Sequence, residues 1–104
     1  MGNINKLMKQ AQQMQGQMAK VQEELAQKEV EGQAGGGAVT VTMTGKMEIT
    51  AVKINPEIVD PDDVDMLEDT LLAAIREAHR RASEMVEEEM GKVTGGMGMP
   101  PGMF

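Results

Sequence analysis

Two groups of basic side chains are spaced so that each could bind phosphate from one face of a helix. Within each group, two residues stand three or four positions apart, and residues at these spacings share a helix face. Positive charge on such a face attracts phosphate without reading a base sequence. The residues alone leave a second interpretation open, in which both groups are solvated helix faces. The groups are Lys6, Lys9 and Lys20, and Arg76, Arg80 and Arg81.

No residues form a recognisable catalytic set. His79 and Ser83 stand four apart on a predicted helix, but neither an orienting acid nor an oxyanion site accompanies them. The chain has no cysteine and one histidine, which excludes a cysteine nucleophile, a thiolate zinc site and a multi-histidine metal site within one chain. We therefore expect no enzyme activity, no metal, no cofactor and no small-molecule substrate.

Four aspartates within residues 60–65 resemble a calcium-binding loop only superficially. An EF-hand loop that began at Asp60 would need glycine and glutamate where this chain has Asp65 and Leu71. Helix capping explains these acids better. We expect Asp60 to be the N-cap and Pro61 to occupy the first helical position.

The composition fits one small domain with a soft core. The chain has 104 residues, of which twelve are Met and one is Phe, and it has no Trp or Tyr. Because rings are so scarce, association with a second copy is a natural way to add buried surface. No uncharged apolar run approaches the roughly 20 residues of a membrane span, and we recognise no secretory signal. We expect a cytoplasmic protein without a membrane partner.

The net charge of −7 argues against a generic nucleic-acid-binding protein, but the charge is unevenly distributed. Residues 1–22 carry three lysines and no acid, whereas residues 60–75 carry six acids and no base. Most of the positive charge is therefore concentrated on two predicted helices.

Hydrophobic periodicity predicts a helix over 4–29 and strands over 29–54. The helix carries an apolar heptad seam, whose C-terminal part we expect to pack on a helix of the same chain. The strands alternate apolar and polar residues as a three-stranded antiparallel meander, with a bulge or a doubly buried strand near 51–52. The seam consists of Ile4, Leu7, Ala11, Met14, Met18, Val21 and Leu25.

A second helix is predicted over 61–90, and Gly91 is expected to end it. Alanines along its apolar stripe would let another helix approach closely. Residues 91–104 contain five Gly, three Met and two Pro, and we interpret them as a flexible tail. A docking peptide is the alternative. Residues 1–90 then form a single domain.

Several short motifs, in this order and spacing, make the chain resemble the YbaB/EbfC nucleoid-associated proteins over essentially its whole length. In the N-terminal half they are Met8-Lys9-Gln10-Ala11-Gln12, Gly32 with Gly35-Gly36-Gly37, and Val39-Thr40-Val41 before Gly45. In the C-terminal half they are Leu67-Glu68-Asp69, Ala73-Ala74, Ala78, Thr94-Gly95-Gly96 and Pro100-Pro101-Gly102.

The resemblance implies a two-layer α+β fold of a helix, a three-stranded antiparallel meander and a long helix. It also implies a homodimer that is joined through the sheet region and whose paired helices project like tweezers. The implied role is to bind double-stranded DNA, alter its conformation and contribute to nucleoid organisation and gene regulation. The DNA contacts that it implies on the first and last helices are Lys6, Lys9, Gln13, Lys20, Arg76, Arg80 and Arg81.

Two functional hypotheses follow. In the first, a homodimer binds duplex DNA largely through phosphates, because the chain offers basic side chains but no Trp or Tyr and a single Phe, Phe104, for stacking. In the alternative, the chain is an acidic protein-interaction module that uses its heptad seam and its Met-rich tail and binds no DNA. A steep loss of DNA binding with salt would distinguish the first from the second.

Overall fold

The computed structural model describes residues 2–96, and it describes the side chains of residues 3–92. The predicted order of a helix, three antiparallel strands and a long helix is confirmed. The strands form one sheet in the order β1-β2-β3, and α2 packs across β1 and β2. The elements are α1 (Gly2–Gln27), β1 (Glu29–Ala34), β2 (Val39–Thr44), β3 (Ile49–Ile54), a 3₁₀ turn (Pro56–Ile58) and α2 (Val64–Gly96).

The core lies between one face of the sheet and α2. Because side chains alternate along a strand, three apolar residues of β2 point to the same face and are buried there: Val39, Val41 and Met43. Three residues of α2, spaced four apart, are fully buried against them: Ala74, Ala78 and Ala82. Their small side chains bring the helix backbone close to the sheet.

Gly32 of β1 allows this close approach. A Cβ at this position would overlap the backbone of Ala74 and Ala78. The small alanines do allow a close approach, as expected, but within this chain the element that approaches them is a strand and not another helix. A glycine in the strand and alanines in the helix together give two backbones that can approach each other.

The turn between β2 and β3 connects α1 to the sheet. The Gly45 amide donates to the carbonyl oxygens of Leu25 at 2.9 Å and Lys28 at 3.2 Å, which satisfies groups at the end of α1. A Cβ on Gly45 would overlap Leu25. Met47 has a φ of 63° and belongs to this turn.

The third strand has a bulge and an uncovered surface. Thr42 pairs with Ala51 and Met43 with Ile49, so Thr50 is the extra residue, one position before the predicted irregularity. All six residues of β3 are exposed, so the alternative of a strand buried on both faces is wrong for this chain. The reason is that α2 lies over β1 and β2.

The second helix begins at Val64, three residues later than predicted. Its cap is Asp63, whose Oδ1 accepts a hydrogen bond from the Met66 amide at 3.3 Å. Asp60 instead accepts from the Asp62 amide at 2.9 Å in the preceding turn. Several aspartates compete to cap this segment, and the turn around Asp60 delays the start of the helix.

The second helix continues past Gly91 to Gly96, so the predicted helix end and the predicted tail are wrong for residues 91–96. A glycine inside a helix costs about 1 kcal/mol, whereas it ends a helix when it adopts a left-handed conformation. Gly91 remains helical. Residues 97–104, which complete the predicted tail, lie outside the described residues. Among the described residues, no helix is long and apolar enough to cross a bilayer.

Candidate nucleic-acid interface

The N-terminal half of α1 projects away from the rest of the molecule, which extends 74 Å along its longest axis. Leu25 is 3 % exposed, and Met14, Met18 and Val21 are half-buried. Leu7, by contrast, is 63 % exposed. The expected packing of the C-terminal part of the seam within the chain is confirmed, since α1 contacts α2. The N-terminal part is uncovered.

The candidate residues of α1 share one exposed face. Successive helix residues turn by about 100°, which places Lys6, Lys9, Gln13 and Lys20 within an arc of about 60°. All four are exposed. We call this surface the α1 lysine face. It spans about 21 Å along the helix axis and lies roughly opposite the heptad seam.

The candidate residues of α2, Arg76, Arg80 and Arg81, form what we call the α2 arginine group, and two of them are held in ion pairs. Arg80 donates from Nη2 to Glu77 Oε1 at 2.7 Å and from Nε to Oε2 at 3.3 Å. Its Nη1 donates to Glu84 Oε1 at 2.7 Å, and Arg81 Nε donates to Glu77 Oε1 at 2.8 Å. Arg76 has no ion-pair partner among the described residues.

These contacts shift the pKa values of Glu77 and Arg80. Hydrogen bonds from Arg80 and then from Arg81 hold the pKa of the Glu77 carboxyl below its usual range. The same contact with Glu77, followed by the charge of Glu84, raises the pKa of Arg80. Because the two arginines and Glu84 are exposed and Glu77 is only partly buried, such pairs contribute little to folding and remain available for exchange with other anions.

The structure does not bring the two basic groups together. Lys28 at the end of α1 pairs with Glu89 of α2 at 2.8 Å, and this contact marks the junction between the helices. The molecule is longer than either helix alone, so α1 and α2 extend from this junction in opposite directions, and Lys20 and Arg81 each lie eight residues from it. They are therefore separated by more than about 20 Å along the long axis.

One face of β3 is apolar and exposed, which alternation had not predicted. Residues paired across two strands share a face of the sheet. The β2 members of these pairs are buried, whereas the β3 members are 36–46 % exposed. The pairs are Val39 with Ile54, Val41 with Val52, and Met43 with Ile49. The apolar surface of the core thus continues onto β3 beyond the reach of α2.

The motifs that suggested other chemistry remain apart. His79 is exposed, Ser83 is half-buried, and no side-chain hydrogen bond joins them within residues 3–92. In the described part of the chain, no three His, Asp or Glu side chains come together as a metal site. A cavity of 220 Å³ at the helix junction has no carboxylate in its lining, which consists of Gln22, Leu25, Gly45, Lys46, Val86 and Met90.

Sequence reasoning overlooked Glu77 as part of the arginine group. The signal was present, because Glu77 precedes Arg80 by three positions and Arg81 by four, the spacings at which helix side chains meet. The net charge of the segment did not reveal this pairing, because an excess of positive charge does not show which side chains are paired.

Comparisons with known proteins identify the family of the chain. The sequence model of the YbaB/EbfC DNA-binding family matches residues 1–97. A nucleoid-associated protein of Acetivibrio thermocellus is 60 % identical over 103 residues, which cover 99 % of this chain and 91 % of that protein. Another from Alkaliphilus metalliredigens is 57 % identical and covers 98 % of this chain and 89 % of its own length.

A solved structure supports the fold. An uncharacterised protein from Helicobacter pylori superposes with a TM-score of 0.63 at 18 % identity. The match covers 75 % of this chain and 90 % of that one.

Proposed function

Because the chain belongs to the YbaB/EbfC DNA-binding family, we propose that it is a nucleoid-associated homodimer that binds double-stranded DNA largely through phosphates. The observation that carries the proposal is the α1 lysine face, which is exposed on a projecting helix. Lysines on such a face neutralise phosphates without contacting base edges in a defined pattern. Little sequence readout is therefore expected.

The α1 lysine face suits a polyanion with regularly spaced charges. Its three lysines have no ion-pair partner among the described residues, so no intramolecular acid competes for them. Duplex DNA carries one charge per about 1.7 Å of axis, so a face about 21 Å long spans many phosphates. The overall charge of −7 disfavours binding elsewhere on the surface and directs DNA to this helix.

The apolar face of β3 supports the homodimer. A contiguous exposed apolar face beside a small core is a common mark of an interface. A second copy that covers β3 would bury the row of Ile49, Val52 and Ile54, which α2 leaves exposed. Two copies would then project two α1 lysine faces from one body. DNA held between them would change its conformation, which is the proposed contribution to nucleoid organisation and gene regulation in the cytoplasm.

The test is fluorescence anisotropy with two unrelated labelled duplexes at low and near-physiological salt. We expect binding to both duplexes and a steep loss with salt, because released counterions drive association. The K6Q/K9Q variant is expected to weaken binding about tenfold or more at low salt. The charge-matched control, K46Q/K53Q, changes exposed lysines of the β2–β3 turn and β3 and is expected to bind nearly as the unmodified protein does.

The competing function is an acidic protein-interaction module. The exposed apolar residues of the uncovered seam, Ile4 and Leu7, together with neighbouring Met8, favour it, because they form an unpartnered helix surface. No binding to either duplex at low salt would establish this alternative as the better account. A flat salt response would also contradict the phosphate mechanism, even where binding occurred.

A further inference from the structure

Glu77 occupies the guanidinium groups that a DNA phosphate would need on α2. We propose that Glu77 competes with DNA for Arg80 and Arg81 and thereby sets the affinity of the α2 arginine group. The inference rests on the proposed function, since it concerns the same ligand. It assigns an acidic residue a role in DNA binding that opposes the role of its neighbours.

The geometry makes the two ligands mutually exclusive at Arg80. The Nε and Nη2 atoms form the fork that binds a carboxylate or a phosphate through two parallel hydrogen bonds. Both atoms donate to Glu77, at 3.3 Å and 2.7 Å. Glu84 takes the third nitrogen at 2.7 Å. A phosphate can gain a bidentate contact on this edge only after Glu77 has left it.

Glu77 restrains Arg81 at the same time. Its Oε1 accepts from Arg81 Nε at 2.8 Å as well as from Arg80, so one carboxylate joins both guanidinium groups. The hydrogen bonds from Arg80 and Arg81 lower the pKa of Glu77, so it remains charged wherever DNA binding is measured. The positive charges of Arg80 and Arg81 are balanced by the negative charges of Glu77 and Glu84. Arg76 therefore carries the uncompensated charge of the group.

The competition is reversible because the network is at the surface. The Arg80 and Arg81 side chains are each 55 % exposed and Glu77 is 28 % exposed, so rotamer changes can separate them without opening the core. Exposed intrahelical pairs are individually weak. A closely spaced row of phosphates can therefore displace Glu77, at a cost that appears as reduced affinity.

The experiment compares duplex binding of the unmodified protein and E77Q by anisotropy at low salt. Glutamine keeps the size of the side chain and removes its charge, so we expect E77Q to bind about three- to tenfold more tightly. The salt dependence should become steeper, because Arg80 and Arg81 then contact phosphate. In an R80Q/R81Q background, adding E77Q should have a much smaller effect.

The matched control is E88Q. Glu88 lies eleven residues, or about three turns, further along the same side of α2 and has the same charge. It is exposed and has no ion-pair partner among the described residues. E88Q therefore reports general repulsion of DNA by an acid on this helix. Circular dichroism and thermal unfolding verify that all variants are folded.

The outcomes separate the two proposals. A gain for E77Q that exceeds the gain for E88Q and shrinks in the R80Q/R81Q background supports competition by Glu77. Equal binding by the unmodified protein and E77Q, or equal gains for E77Q and E88Q, overturns that role while leaving DNA binding intact. Failure of both the unmodified protein and E77Q to bind DNA overturns the proposed function itself.

Discussion

Apolar residues have opposite roles in two regions of the molecule: the sheet with the middle of α2, and the projecting half of α1. In the first region, Val39, Val41 and three alanines of α2 are fully buried, and Gly32 lets two backbones meet. In the second region, the apolar seam continues to Leu7 and Ile4, but nothing in the described chain covers it. One region is complete within the chain, and the other is built for contact with something else.

This difference indicates that the residues that stabilise the fold and the residues available for binding lie in different regions. Close packing in the first region leaves no room for change, because interiors tolerate little added volume. The projecting helix has one basic face and one apolar face and few tertiary contacts to constrain either. Substitutions should therefore affect mainly folding in the first region and mainly DNA binding in the second.

The largest effect is expected for G32A. A Cβ at residue 32 would overlap the backbone of Ala74 and Ala78, which cannot move aside as a flexible side chain can. We expect a loss of about 3 kcal/mol in the free energy of unfolding, measured by urea denaturation at fixed protein concentration. A loss below about 0.5 kcal/mol would contradict the close approach of α2 to β1.

A second large effect is expected for V52K, which places a charge on the apolar face of β3. We expect the dissociation constant of the proposed homodimer to rise about 100-fold, equivalent to about 2.7 kcal/mol, because covering this face with a second copy would bury the lysine without a partner. Sedimentation velocity at several concentrations measures it. A51K on the opposite face of the same strand is the control, and a V52K protein that remained as dimeric as A51K would exclude this face as the interface.

The sheet and the core were largely predictable because their patterns are local. Side chains alternate along a strand, so three apolar residues separated by threonines had to share a face, and β2 buries Val39, Val41 and Met43 as expected. The heptad spacing likewise identified the buried end of α1 at Leu25. The exposed face of β3 was not predictable, because alternation does not reveal how far a helix extends across a sheet.

The ends of α2 and the candidate interface show the other limits. Asp60 and Asp63 are equally good caps by residue type, and only the path of the preceding turn selects Asp63. Local spacing identified which basic residues share a helix face. It did not reveal that Lys20 and Arg81 lie on opposite sides of the helix junction, because their placement depends on the direction of α1 relative to the sheet and α2.

A smaller effect, of opposite sign to that of G32A, is expected for G16A. Gly16 lies in α1, and a Cβ there would have nothing within 4 Å. Alanine should therefore stabilise the helix by about 0.5–1 kcal/mol through reduced backbone entropy in the unfolded chain. Thermal unfolding monitored by circular dichroism measures the gain. A destabilised G16A would mean that a second copy packs closely against this residue. The projecting half of α1 would then be a covered surface and not an exposed one.

The smallest effect is expected at the junction between the two regions, where Lys28 pairs with Glu89 at 2.8 Å. The hydrogen bond from Lys28 lowers the pKa of Glu89 from its ordinary value of 4.5. The same bond raises the pKa of Lys28 from 10.5. A lowered carboxyl pKa stabilises the fold above the unfolded value and loses this contribution as pH falls through the folded value. A raised lysine pKa gives the corresponding loss as pH rises through its folded value.

The unmodified protein should therefore be more stable than E89Q by a small margin near neutral pH, and the margin should close at both extremes. Urea denaturation from about pH 3 to about pH 11 measures this difference as a function of pH. E88Q is the control, because Glu88 has the same charge and no ion-pair partner among the described residues. A margin for E89Q that stayed constant with pH would mean that Glu89 acts through packing. The junction would then belong to the closely packed region, and the boundary between the two regions would lie further along α1.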